Sequence, residues 1–64
     1  MKLNPKVTKR KVLAAVDSGE SEGFCAACGA EAYGVEPDAR KYKCAGCGQF
    51  WVYGAEELAM VMFA

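Results

Sequence analysis

Four cysteines in two Cys-x2-Cys pairs, Cys25/Cys28 and Cys44/Cys47, set the strongest limit on what this 64-residue chain can fold into. Two residues between cysteines form a tight turn from which both sulfurs reach one ion. Two such turns, joined by a hairpin across the fifteen intervening residues, supply four thiolates at tetrahedral positions. The spacing falls in the range that reads as a zinc site. A chain this short buries only about 60% of the surface its unfolded form exposes. Its core rarely supplies more than about 3–5 kcal/mol without a staple. Zinc binding contributes about 10–16 kcal/mol in small zinc-binding peptides. The domain is therefore expected to be largely unfolded without metal.

Other uses of the cysteines fit less well. Two disulfides need an oxidising compartment. The only apolar run near the start that resembles a secretory core is Val12–Val16, five residues and too short. A redox Cys-x-x-Cys would sit beside a βαβ unit, for which the chain has no room. Iron suits four thiolates chemically, but rubredoxins, which use two such knuckles, separate them by a longer segment. Four cysteines close the coordination shell, whereas catalytic zinc keeps a position open for water. One structural zinc ion on Cys25, Cys28, Cys44 and Cys47 is the expectation, adding a net charge of about −2 with its thiolates. Gly29 and Gly48 follow the two pairs. Without a Cβ they tolerate positive φ, and their backbone is expected to aim amides at the sulfurs.

The charges cancel overall but are segregated. Residues 1–16 carry five bases and no acid, and residues 17–38 six acids and no base. Arg40, Lys41 and Lys43 then form a second basic group, and Glu56 and Glu57 a last acidic pair. Such segregation permits a local basic patch on a neutral protein. No run approaches the roughly 20 apolar residues of a membrane span. The chain has no histidine, the commonest general base, and its size argues against an enzyme with a buried cleft.

Along the chain, residues 1–19 read as a basic helix. Asn4-Pro5 is one candidate start and Thr8 a competing N-cap. Val12, Leu13 and Val16 are placed on one face, and Gly19 is the stop. A polar linker, Asp17 to Gly23, follows. Residues 20–54 hold the cysteines, with short strands expected near 31–35, 40–44 and 49–53. In the last of these, Phe50 and Val52 would face one side, Trp51 and Tyr53 the other. Residues 55–64 read as a short apolar helix opened by Glu56 and Glu57. All three pieces are expected to form one compact domain. Pro37-Asp38 favours a turn, and Arg40 is expected to pair with Glu36 or Asp38.

The two Cys-x-x-Cys-Gly units resemble the zinc ribbon class. A longer likeness covers about residues 19–58. It runs through Gly23–Ala32, then the stretch GVEPDAR at 34–40, then VYGAEEL at 52–58. These segments resemble small zinc ribbon proteins recurring in bacteriophages and bacterial mobile elements. The resemblance implies a small metal-stabilised α+β fold: a three-stranded antiparallel sheet, here with an N-terminal helix and a short C-terminal one. It implies a phage-related origin in the cytoplasm of a bacterial host, and no particular activity.

A non-enzymatic module that grips a protein partner is the resulting expectation. Trp51, Met60 and Phe63 are the candidate contacts, and the apolar C-terminal segment could also join two copies. Leu58, Val61 and Met62 are expected to pack inward, leaving Met60 and Phe63 partly exposed. The alternative is a nucleic-acid binder using Lys9, Arg10 and Lys11 with Lys41 and Lys43, which share a face if they lie on a strand. No contact with a membrane is expected.

Overall fold

The computed structural model describes residues 3–19 and 21–63. Helix α1 is Lys9–Ser18; strands β1, β2 and β3 are Glu22–Cys25, Glu31–Tyr33 and Val52–Gly54; helix α2 is Ala55–Met62. The strands form one antiparallel sheet in the order β2-β1-β3. The expected class, a small α+β fold with a helix at each end of a three-stranded antiparallel sheet, is the one observed.

Thr8 caps α1. It is extended, and its hydroxyl accepts from the Lys11 amide at 3.2 Å, satisfying one of the amides a helix leaves unpaired at its start. Gly19 ends the helix in the left-handed conformation. Asn4, the competing start, is used elsewhere. Its side chain accepts from the Lys6 amide, and its carbonyl from Val7, so Asn4 to Val7 is a turn with Pro5 at the position that favours proline. Val12 and Ala15 are buried, whereas Leu13 and Val16 are exposed. The inward face is thus rotated from the expected one, because Ala15 lets the helix lie close to the sheet.

Two of the expected strands occur, the first shortened to 31–33 and the last shortened and shifted to 52–54. The third does not. Lys41 has φ +54°, which turns the backbone out of an extended run. Only Tyr42 bridges to the sheet, through a reciprocal pair of 3.0 Å bonds with Val52. The missing strand is the central one, β1, which begins inside the stretch read as linker. Gly23, Phe24 and Cys25 are all buried there.

Because side chains alternate along a strand, the sheet separates two apolar clusters. Phe24 pairs with Tyr53, and both face the helices with Val7, Val12, Ala15 and Leu58. Cys25 pairs with Val52 and faces Val35, Ala39 and Cys44. Phe50 and Trp51 precede β3 and are exposed. Leu58 is fully buried and Met62 packs against the core, while Met60, Val61 and Phe63 are exposed. Val61 departs from the expected inward set.

Residues 34–40 cross the cysteine side of the sheet. Pro37 and Asp38 form the expected turn, closed by Ala39 donating to Glu36. Ala39 then accepts from Gly54, and Pro37 accepts from Glu57. Arg40 pairs not with Glu36 or Asp38 but with Glu57, at 2.8 Å. The reason is this crossing, which carries Arg40 to the start of α2. Residues 34–40 and 52–58 thus touch one another.

Candidate metal centre

Each cysteine pair lies in a knuckle, and the two knuckles repeat one hydrogen-bond pattern. Cys25 donates its amide to Ala30 and accepts from Gly29; Cys44 donates to Gln49 and accepts from Gly48. These bonds run 2.8–2.9 Å. The Cys28 amide points at the Cys25 sulfur and the Cys47 amide at the Cys44 sulfur, both at 3.5 Å. Gly46 adds a third amide, 3.3 Å from the Cys44 sulfur.

Gly29 and Gly48 have φ +81° and +77°, as the sequence requires. Their amides, however, bond the carbonyls of Cys25 and Cys44 rather than sulfurs. The positive φ turns the chain so that the next residue serves the sulfur: the backbones of Ala30 and Gln49 bond Cys28 and Cys47. Gly29 has a second role, since a Cβ there would lie 2.6 Å from the Lys6 Cβ. It allows residues 4–6 to lie on the first knuckle, where Asn4 donates to Ala26 and, through its side chain, to Ala27. The repeated spacing of Ala30 and Gln49 after the second cysteines could have marked them. Nothing in the sequence marks Asn4 for this contact.

The four sulfurs lie within 4.8 Å of one another. Across the knuckles, Cys25 and Cys47 are 3.7 Å apart, and Cys28 and Cys44 are 3.6 Å apart. A tetrahedron with metal–sulfur bonds of about 2.3 Å has edges of about 3.8 Å. The cross-knuckle separations therefore suit one four-coordinate ion. Cys25 and Cys44 are buried, Cys28 is half-buried and Cys47 is exposed. In each knuckle the first cysteine's sulfur forms the floor and the second's the open side.

The electrostatics favour a cation. The backbone amides of Cys47 and Gly46 bring the Cys44 thiol down to about 6. Cys47 goes the other way, to about 11. The Gln49 amide pulls it down, but lost hydration and the sulfurs of Cys25, Cys44 and Cys28 outweigh that pull. Cys28 is also raised: the amide of Ala30 and the Cys47 sulfur pull it down, but lost hydration and the sulfurs of Cys44 and Cys25 outweigh them. Cys44 is thus pulled toward the thiolate while Cys28 and Cys47 are held as thiols, and a divalent cation in the cluster removes the conflict. The donor set, four thiols with amide support, fits such an ion.

The remaining candidates are spread over the molecule. Lys9, Arg10 and Lys11 are exposed on α1, which packs on the Phe24 side of the sheet. Lys43 lies on the other side. It lines a groove of about 400 Å³ with Tyr33, Tyr42, Val35 and Cys44. The two basic groups therefore do not converge. Lys41 and Lys43 do not alternate along a strand, for the reason given for Lys41. Trp51 is exposed, with its ring 6.4 Å from that of Tyr53. Met60 and Phe63 are exposed on and just after α2. No family profile, curated protein or solved structure matches the chain.

Proposed function

We propose that this protein is a structural zinc module of the zinc ribbon type: Cys25, Cys28, Cys44 and Cys47 hold one zinc ion, and the module performs no catalysis of its own. The observation that carries the reading is the meeting of four sulfurs from two matching knuckles. Four thiolates fill a tetrahedral shell and leave no position for a substrate. Zinc here supplies folding free energy and no chemistry.

The finer reading is a small adaptor or regulator of phage or mobile-element type, acting on a protein partner in the cytoplasm of a bacterial host. Exposed Trp51 supports it, since aromatic anchors dominate protein contacts. Among the described residues no helix is long and apolar enough to cross a membrane. The groove beside Lys43 favours a second reading. Two tyrosines and a lysine at one groove suit a stacked base with its phosphate, although the basic helix lies on the opposite side of the sheet.

Cobalt substitution with absorption spectroscopy tests the metal reading. One cobalt per chain with intense thiolate-to-metal bands and tetrahedral d–d bands is expected. Six-coordinate bands, or binding that survives replacement of Cys44 by serine with unchanged bands, would refute it. Fluorescence anisotropy of zinc-loaded protein with labelled single-stranded DNA and RNA separates the two finer readings. Binding that weakens steeply with salt and is lost in Lys43→Ala favours the nucleic acid. Absence of binding at low salt favours the protein partner.

A further inference from the structure

Helices α1 and α2 lie antiparallel. At one end the Lys9 ammonium sits 5.4 Å from the centre of the Phe63 ring. At the other end Val16 and Glu56 line the same small cavity. Residues three or four apart on a helix share a face. Lys9, Leu13 and Val16 therefore form one stripe, and Glu56, Met60 and Phe63 another, running side by side in opposite directions. All six residues are exposed, and Leu13, Met60 and Phe63 keep about half or more of their surface in solvent, at 51%, 61% and 48%.

The result is a face with Leu13 and Met60 at its centre and Lys9 and Glu56 at two opposite corners, bordered beyond Leu13 by the exposed charges of Arg10 and Asp17. Seven residues of helix rise about 10 Å, and packed helices lie about 8–10 Å apart, so the face is nearly square. Lys9 occupies the corner at the start of α1, and Glu56 the diagonal corner at the start of α2. A two-fold axis along the other diagonal, from Val16 to Phe63, sets Lys9 of each copy over Glu56 of the other. It also apposes the apolar centres around Leu13 and Met60. A two-fold interface must be complementary to itself, and this arrangement of opposite charges about an apolar centre is.

We propose that the α1/α2 face joins two copies of this chain, with four helices crossing at the interface and the metal centres turned outward. Turning the helices inward leaves the groove at Tyr42 and Lys43 free on both copies. The pairing does not rest on the identity of the metal or on the partner reading above.

Analytical ultracentrifugation of the folded, metal-loaded protein tests it. A species of about twice the 6.9 kDa chain mass is expected, dissociating on dilution. Met60→Glu should return it to a monomer with unchanged circular dichroism. Lys9→Glu should weaken association by about tenfold, since each charge pair occurs twice across the axis. Lys9→Glu with Glu56→Lys should restore it. A monomer up to several hundred micromolar would overturn the proposal. So would a dimer indifferent to Met60→Glu and to the charge exchange, or a monomer that sediments with phosphatidylserine vesicles and so gives the face to lipid.

Discussion

Gly23 and Gly54 face each other across the β1–β3 pair, and the loop of residues 34–40 lies against both. A Cβ on Gly54 would fall on the carbonyl oxygens of Glu36 and Pro37. One on Gly23 would lie 2.5 Å from the Tyr53 oxygen and 3.0 Å from a Val35 methyl. The two glycines let the loop approach closely enough for Ala39 to accept from Gly54 and Pro37 from Glu57.

Gly54→Ala should therefore destabilise the folded protein. The methyl meets backbone, which cannot swing aside as a side chain would. Overpacking of this kind costs about 1–3 kcal/mol. Urea unfolding followed by Trp51 fluorescence should show the loss. An unchanged midpoint would mean that the loop does not hold this position.

Leu58 is fully buried between the helices and the sheet, and Phe50 is exposed. Leu58→Ala should cost about 2–5 kcal/mol, which is comparable with the whole apolar core of a chain this small. Its folding should then depend on saturating metal ion. Phe50→Ala should change stability by less than about 0.5 kcal/mol. Parallel thermal melts at fixed zinc concentration compare the two.

The Arg40–Glu57 pair joins the loop to α2 with one partner exposed and the other nearly covered, at 67% and 11% side-chain exposure. Solvent screening keeps such a pair to about 1 kcal/mol or less. A double-mutant cycle with Arg40→Ala and Glu57→Ala should give a coupling of that size at low salt. It should shrink at 1 M salt, where screening acts within about 3 Å.

Uptake of a divalent ion by the cysteine cluster should release protons. In the metal-free cluster Cys47 is raised to about 11 and Cys28 is raised as well, so both are protonated at neutral pH and must lose their protons to bind. Cys44, at about 6, is already mostly thiolate. Affinity should fall as pH falls from 8 to 6, more steeply once protons also compete for Cys44. Calorimetry in buffers of different ionisation enthalpy measures the protons released.

The cysteine cluster was legible because its requirements are local. A Cys-x2-Cys turn followed by glycine specifies its own geometry, and Gly29 and Gly48 have the positive φ this demands. Thr8, Gly19 and the acids of α2 are local signals of the same kind. The central strand was not legible. Glu22–Cys25 is short and sits beside polar residues, and it becomes a strand only because two other segments pair with it. Nor was the link from Asn4 to the first knuckle, since it spans more than twenty residues and has no periodicity.

Elements whose energetics lie within a few residues could be read locally: two knuckles, a capped helix, a proline turn and a helix opened by two acids. The folded arrangement set which segments pair. It sent Arg40 to Glu57, turned Leu13 and Val16 outward, and placed Lys43 and the basic helix on opposite sides of the sheet. Those outcomes depend on contacts between residues far apart in the chain. The closure of such contacts is governed by the packing of the whole fold, not by the preference of any one segment.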